Sequence, residues 1–404
     1  MSAEEALPLA GVRVVEIAHW VAVPAAGAML ADLGADVVKI EPPPRGEVYR
    51  RSRPKYAGYA SDFPESPAFH CDNRGKRCLA LDLEKPAVRA AILRLVDRAD
   101  VFLTNLLPRR RARYGFDHAT LLARRPSLIV GAISGYGLGG EEADRAAFDY
   151  TAYWARTGLM DMMRDAGAPP SLQRPAVGDH AAASNLVCGI LAAMRLRDRD
   201  GRGRYVETSL LQTGFHVLSS DLATALATRE PVPRHDRRTA RNPLWNSYAT
   251  ADGRWLLLVM IEAERYWPVL CEALGAPELR RDPRFEEPFT RMRHAPELVA
   301  ELERRFAAHD LAHWAPRLDA AGLIWGPMQS ALEAIDDPQA RAMGYVRTLA
   351  HPAGAIESVG PPFRIEGTPL GVERGASAVN EDAYALFAEV GLGEEEIRKL
   401  LPET

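Results

Sequence analysis

The feature that most constrains this chain is a strand–helix–strand rhythm that fills its first third. Residues 12–17 (VRVVEI) form a short β-branched run, residues 20–33 (WVAVPAAGAMLADL) suit a helix, and residues 36–41 (DVVKIE) form a second strand. The pattern recurs in CLALDL at 78–83, a helix from about Pro86 to Ala99, DVFLTNL at 100–106 and SLIVGAI at 127–133. Pro86 suits a first helical turn, where its missing N–H costs nothing. Strands alternating with helices at this spacing predict an α/β fold, with a Rossmann-like parallel sheet covered on both faces. Ligand sites are then expected outside the carboxyl ends of the strands, near Ala18–Val21, Asn105–Arg113 and Ser134–Gly140.

The chain has 404 residues, more than one domain usually holds, so two lobes are expected. Residues 180–197 (HAAASNLVCGILAAMRLR) are apolar nearly all round and read as a helix buried in a core or interface. A Pro- and Arg-rich stretch at 228–244 reads as a linker. The expected organisation is a large domain over 1–227, the linker, and a small α+β domain over 245–335. The remainder, 336–404, carries helix-like stretches and no strand pattern, and is expected to return to the large domain.

Composition removes several function classes. A net charge of −4 and a pI near 6.2 disfavour a nucleic-acid binder, which usually has a basic face. Cys71, Cys78, Cys188 and Cys271 show no metal-binding or disulfide spacing and fit a reducing cytoplasm. The N-terminal MSAEEALPLAG lacks the basic and apolar regions of a signal, and no stretch approaches about 18 uncharged apolar residues. Neither export nor membrane insertion is expected. His309 and His313 lack a third ligand for a metal.

The turn His19-Trp20-Val21 after the first strand contains no G-x-G-x-x-G, which disfavours a dinucleotide. Asn105-Leu106-Leu107-Pro108 leads into Arg109, Arg110, Arg111 and Arg113 at a strand end, where guanidinium forks suit phosphates. A solvated basic helix start explains the same residues. Asn73-Arg74-Gly75-Lys76-Arg77 offers a second basic loop, equally readable as a plain turn. Gly178-Asp179 opens the apolar helix, where backbone N–H groups and the helix dipole favour an ionised carboxylate that can act as a nucleophile. Asp is also a favoured N-cap with no chemistry at all. The glycine-containing Ser134–Gly140 stretch, with Gly135 and Tyr136, can bring amides close to an anion or acyl oxygen, or serve as a mobile connector.

Taken in order, GVRVVEIA…ADLGADVVKIEPP, DNRGKRCLALDL, ADVFLTNLLP…RYGF, SGYGLGG, RPAVGDHAAA and GRGRYVETSLLQT resemble the class III CoA-transferases. This is the family of formyl-CoA transferase, carnitine CoA-transferase and the acyl-CoA racemases. The resemblance implies that Asp179 is the nucleophile and that Arg113 contacts CoA, with Lys76 and Asn105 on the CoA side; His19, Trp20, Val21, Leu106, Gly135 and Tyr136, from the strand-end segments, complete the expected CoA-binding residues. It further implies an interlocked homodimer, no permanently bound cofactor, and acyl-CoA plus a carboxylic acid as substrates. CoA would move through an aspartyl mixed anhydride and an enzyme–CoA thioester.

Two departures shape the expectation. Val21 stands where formyl-CoA transferase has glutamine, and no glycine-rich loop is evident near Met260-Ile261-Glu262-Ala263, so a small diacid such as oxalate is disfavoured. Phe148 stands where the racemase branch has its histidine, and it carries no proton, although Asp149 follows it. Intermolecular transfer is preferred. An intramolecular transferase or racemase is the alternative, and a catalytically silent CoA-binding protein the third.

Overall fold

The computed structural model describes residues 7–52, 63–165 and 167–402. The first six residues of the N-terminal stretch thus lie outside the described residues. The chain forms two compact units: Met1–Asp161 with Ser171–Pro231 and Gln339–Thr404, and Met162–Pro170 with Val232–Pro338.

The first unit is built on six parallel strands, β1 (Arg13–Ile17), β2 (Asp36–Glu41), β3 (Arg77–Ala80), β4 (Val101–Thr104), β5 (Ile129–Ser134) and β6 (Arg204–Ser209). They lie in the order β3-β2-β1-β4-β5-β6. Successive side chains face opposite sides of a strand, and the buried residues divide accordingly. Val14, Val37, Val101 and Ile129 join one core, whereas Val15, Val38, Phe102 and Val130 join another. Helices α1 (Ala22–Asp32), α2 (Val48–Arg51), α3 (Pro67–Asn73), α4 (Pro86–Val96), α5 (Pro108–Tyr114), α6 (His118–Arg124), α7 (Leu159–Met162) and α8 (Val177–Asp200) follow the strands. Residues of α1 and α8 fill the first core, and residues of α4 and α6 the second. Strand order reverses at β1, between β2 and β4, and the crevice outside the carboxyl ends of such strands is where α/β sheets bind ligands.

Three expectations need correction. Strand β6 was not among the expected strands: its RYVETS sequence alternates on an edge with β5 as sole neighbour, so it is only half apolar. The segment after Ile335 does contain strands, the antiparallel hairpin β10 (Val346–Leu349) and β11 (Ile356–Val359). Its last helices contribute Leu386, Phe387, Ile397 and Leu400 to the second core. Finally, α8 is long and apolar enough to cross a membrane by length and composition. Here its Ala182, Leu186, Val187 and Ile190 pack in the first core, and Gly131 opposite lacks the Cβ that would stand 3.1 Å from Ile190.

The second unit carries β7 (Trp245–Ala249), β8 (Trp255–Val259) and β9 (Trp325–Pro327), all antiparallel. The helix Ala295–Phe306 buries Ala295, Leu298, Val299, Leu302 and Phe306, the spacing of one helical face. Of these, Leu298, Val299, Leu302 and Phe306 join Tyr248, Leu256 and Leu258 in a separate core.

Candidate active site

The turn between β1 and α1 is held from two sides. Asn105, just past β4, accepts the His19 backbone N–H at 3.1 Å and donates to the His19 carbonyl at 2.7 Å. Glu47 accepts the Trp20 N–H at 2.7 Å. Trp20 has φ +66°, a left-handed conformation that costs a non-glycine residue about 1–3 kcal/mol and persists only where neighbours enforce it. Asn105, expected to face CoA, thus has its amide bonded to both backbone groups of His19 and acts by shaping that turn. Val21 is buried in the first core.

Under the turn lies a network of buried charge. Lys39 bridges Glu16 at 3.0 Å and Glu47 at 2.8 Å. Lys76 donates to Glu16 at 2.8 Å, to the Pro24 carbonyl at 2.7 Å and to Asn73 at 3.0 Å. All three of its N–H donors are occupied and the side chain is fully buried. Lys76 therefore has nothing to offer a phosphate, and its expected CoA-side role gives way to a structural one.

At the strand ends, His19, Glu41, Leu106, Arg110 and Tyr114 are among the residues lining a cavity of about 140 Å³. Burial, with Lys39 and Arg110 adding to it, lowers the His19 pKa to about 4, so the imidazole is neutral. Its Nδ1 is buried without a hydrogen-bond partner among the described residues, an unusual state for such an atom and one that a ligand polar group would relieve. The arginine run divides by helical position. Arg110 lines the cavity, Arg111 is buried with Tyr205 at 3.3 Å, and Arg113 is exposed and paired with Glu84 at 2.6 Å. Larger hollows of about 960 Å³ in the second unit and 1190 Å³ around the β10–β11 hairpin hold none of these groups.

Asp179 is not an N-cap. Helix α8 begins at Val177 after Ala176, which has φ +67°, and Asp179 is the third helical residue. Its backbone place was expected to favour the anion, yet its pKa rises from 3.8 to about 7. Burial is the largest cause, the neighbouring Asp149 carboxylate adds to it, and His180 opposes it. Asp149 accepts the Gly178 N–H at 3.1 Å, and its other oxygen is buried without a hydrogen-bond partner among the described residues. It immediately precedes a π-helical turn, Tyr150–Ala155, a rare form that is frequent at functional sites. Any side chain at Gly178 would crowd this turn, because a Cβ would lie 2.2 Å from the Tyr153 ring and 2.4 Å from Asp149.

Trp20 connects these segments. Its ring meets Phe148 edge-on at 5.9 Å and Tyr49 at 5.9 Å. Phe148 leads to Asp149 and hence to Gly178–Asp179. Tyr49 donates to Asp72 at 3.1 Å, and Asp72 pairs with His180 at 2.9 Å. The structure thereby brings Trp20, Asn105 and Asp179 into one connected set. Gly135 stands at the next strand end, where a Cβ would lie 2.3 Å from that of Ala147, and Tyr136 is flanked by the Arg145 and Arg156 guanidiniums at 5.2 and 5.0 Å. Glu47, Asp72 and Tyr49 carry no sequence signal of their own. Asp149 does, as the acidic neighbour of Phe148.

Glu65, His70 and His351 lie close enough together to hold a cation. As it stands, His70 Nδ1 accepts the Ala376 N–H at 3.3 Å. The ring proton is then on Nε2, facing Glu65 at 2.9 Å. The Arg50 guanidinium holds the same Glu65 oxygen at 3.0 Å, so a cation there would have to displace these contacts.

The chain matches the model of CoA-transferase family III over residues 9–383. It belongs to that family. The family III transferase is 29% identical to (R)-2-hydroxy-4-methylpentanoate CoA-transferase of Clostridioides difficile, covering 96% of this chain and 97% of that one. It is 31% identical to succinate–glutarate CoA-transferase of Agrobacterium fabrum, over 95% and 96%, and 31% identical to acetyl-CoA:oxalate CoA-transferase of Acetobacter aceti, over 95% of each. A solved CAIB/BAIF family protein from Brucella suis superposes with TM-score 0.84 at 28% identity, covering 95% and 99% of the two chains. The transferase is an enzyme with a mixed α/β fold built on a six-stranded parallel sheet.

Proposed function

We propose that this transferase moves CoA from an acyl-CoA to a carboxylic acid through covalent intermediates on Asp179. An Asp179 carboxylate oxygen attacks the thioester carbonyl, the C–S bond breaks, and CoA leaves as thiolate, giving a mixed anhydride. The thiolate then attacks Asp179 Cγ, the anhydride C–O bond breaks, and the donor acid departs as carboxylate. The acceptor carboxylate repeats both steps in reverse order, expelling thiolate and then receiving it on its acyl carbon, which restores Asp179. Thioester is exchanged for thioester with no net proton change, so positioning and electrostatic stabilisation supply the rate.

The observation that carries this reading is Asp179 itself, a carboxyl in the first turn of α8 with its pKa raised to about 7. Such a group is a stronger base than an ordinary aspartate and still ionised in good part at neutral pH. His19, Leu106 and Arg110 around the strand-end cavity suit the CoA end of the substrate, with CoA a substrate and not a resident cofactor. Arg113 would join them on release from Glu84.

Relatives named for oxalate and for succinate and glutarate keep diacids among the acceptors to be tried, although Val21 and the Met260–Ala263 stretch depart from formyl-CoA transferase. We place the enzyme in the cytoplasm, in keeping with four free cysteines. We also take it to act as a homodimer, which the exposed Phe215, Val217 and Leu226 support. The test is to supply succinyl-CoA with a panel of carboxylic acids and identify the acyl-CoA formed. Transfer that requires an added acid and disappears in Asp179→Ala is expected. Conversion of an acyl-CoA without an added acid would overturn intermolecular transfer.

A further inference from the structure

We propose that His180 stands as a fixed imidazolium, clamped between a carbonyl and a buried carboxylate, and that its charge keeps the adjacent Asp179 ionised for attack. The inference rests on Asp179 as the nucleophile and assigns His180 a positioning role beside it.

Both ring nitrogens of His180 face acceptors. Nδ1 lies 2.8 Å from the Ala176 carbonyl, and Nε2 lies 2.9 Å from an Asp72 carboxylate oxygen. A neutral imidazole has a single N–H and would turn a lone pair against one of these oxygens, so only the doubly protonated ring satisfies both. Asp72 is 3% exposed, and a carboxylate so buried needs a counter-charge. The Tyr49 hydroxyl donates to its second oxygen at 3.1 Å but carries no charge. Arg74, a cation that also feels Asp72, is bound to Asp32 at 3.0 Å and to the Cys71 carbonyl. His180 is left as the partner.

The groups acting on Asp179 come from three elements: Asp149 before the π-helical turn, Asp72 on α3 and His180 on α8. Two are carboxylates that hold its proton on, and His180 is the one cation among them. Hydrogen bonding to Asp72 is the chief cause of a His180 pKa of about 9. The ring is half exposed, so solvent screens its outer face, and its protonation follows from the two acceptors it meets. With both N–H groups occupied, His180 has no donor left for substrate and acts through Asp179.

The first test needs no substrate. Protein labelled with ¹⁵N in its histidine rings is titrated, with His180 assigned by its loss in His180→Gln. Both nitrogens should report the protonated ring at pH 7.5, and a ring already neutral there overturns the proposal. In protein carrying [¹³Cγ]aspartate, assigned through Asp179→Asn, the Asp179 midpoint should rise by about one unit in His180→Gln and return in His180→Lys. The acid limb of succinyl-CoA turnover should move with it. A turnover loss equal at every pH, with an unmoved Asp179 midpoint, would make His180 merely structural and sink the idea. Should Asp179 never form an adduct, the transfer reading fails while the histidine titration still decides the charge of His180.

Discussion

Replacing Gly178 with alanine should separate catalysis from stability. The backbone at Gly178 is helical, so alanine by itself would favour α8 by up to about 1 kcal/mol. The new methyl would stand 2.2 Å from Tyr153 Cγ, 2.6 Å from Tyr153 Cβ and 2.4 Å from Asp149 Oδ1. Ordinary contact needs more than 3.4 Å, so something must yield by about 1 Å. Tyr153 is 3% exposed and Asp149 4% exposed, so neither swings aside, and the first turn of α8 moves with Asp179 on it. Overpacking of this kind costs roughly 1–3 kcal/mol, partly offset by the helix gain, for a net loss of about 0–2 kcal/mol. A 1 Å displacement of a reacting group costs about 10²-fold in rate. Urea unfolding should therefore show a loss of no more than about 2 kcal/mol while kcat falls by about two orders of magnitude. A variant that transfers CoA within roughly threefold of the parent rate would refute the steric reasoning at Gly178.

Other substitutions test separate parts of the site. Asp149→Asn removes a negative charge beside Asp179, so the acid limb of the pH–rate profile should move down by about one unit; an unmoved limb would contradict that electrostatic role. Asn105→Ala frees both backbone groups of His19 and should raise the KM for acyl-CoA by roughly tenfold with a smaller change in kcat, measured by steady-state kinetics. Lys76→Met leaves Glu16 short of a buried partner, and its cost should be about 3–5 kcal/mol in urea unfolding, with KM for acyl-CoA unchanged in the folded protein. Asp179→Asn should stabilise the fold. The native pKa of about 7 lies above the unfolded 3.8, so the parent's penalty is fully present above pH 7 and fades as pH falls toward 4. Thermal unfolding should show a gain of roughly 1–3 kcal/mol at pH 8 that shrinks at pH 5.

Strands β1, β2, β4 and β5 were legible because each carries β-branched residues and lies inside the sheet, as a buried parallel sheet demands, and the edge strand β3 because its Cys78, Leu79 and Ala80 are apolar. Strand β6 escaped because RYVETS is itself half polar, and the β10–β11 hairpin because Gly and Pro interrupt the sequence around it. Asp179 was legible as a carboxyl opening an apolar helix. Its pKa was not, because that depends first on burial and then on Asp149 and Asp72, which lie far away in sequence and arrive through a π-helical turn and α3. The four arginines after β4 looked alike in sequence. Helical position alone sends Arg111 inward, Arg110 to the cavity and Arg113 to Glu84.

The central claim is that acyl transfer passes through Asp179, and hydroxylamine tests it most directly. Protein is incubated with succinyl-CoA and hydroxylamine, then digested and mapped by mass spectrometry. An aspartyl hydroxamate confined to Asp179, and absent from Asp179→Ala, is the expected result. Binding and turnover of acyl-CoA with Asp179 never converted would contradict the account.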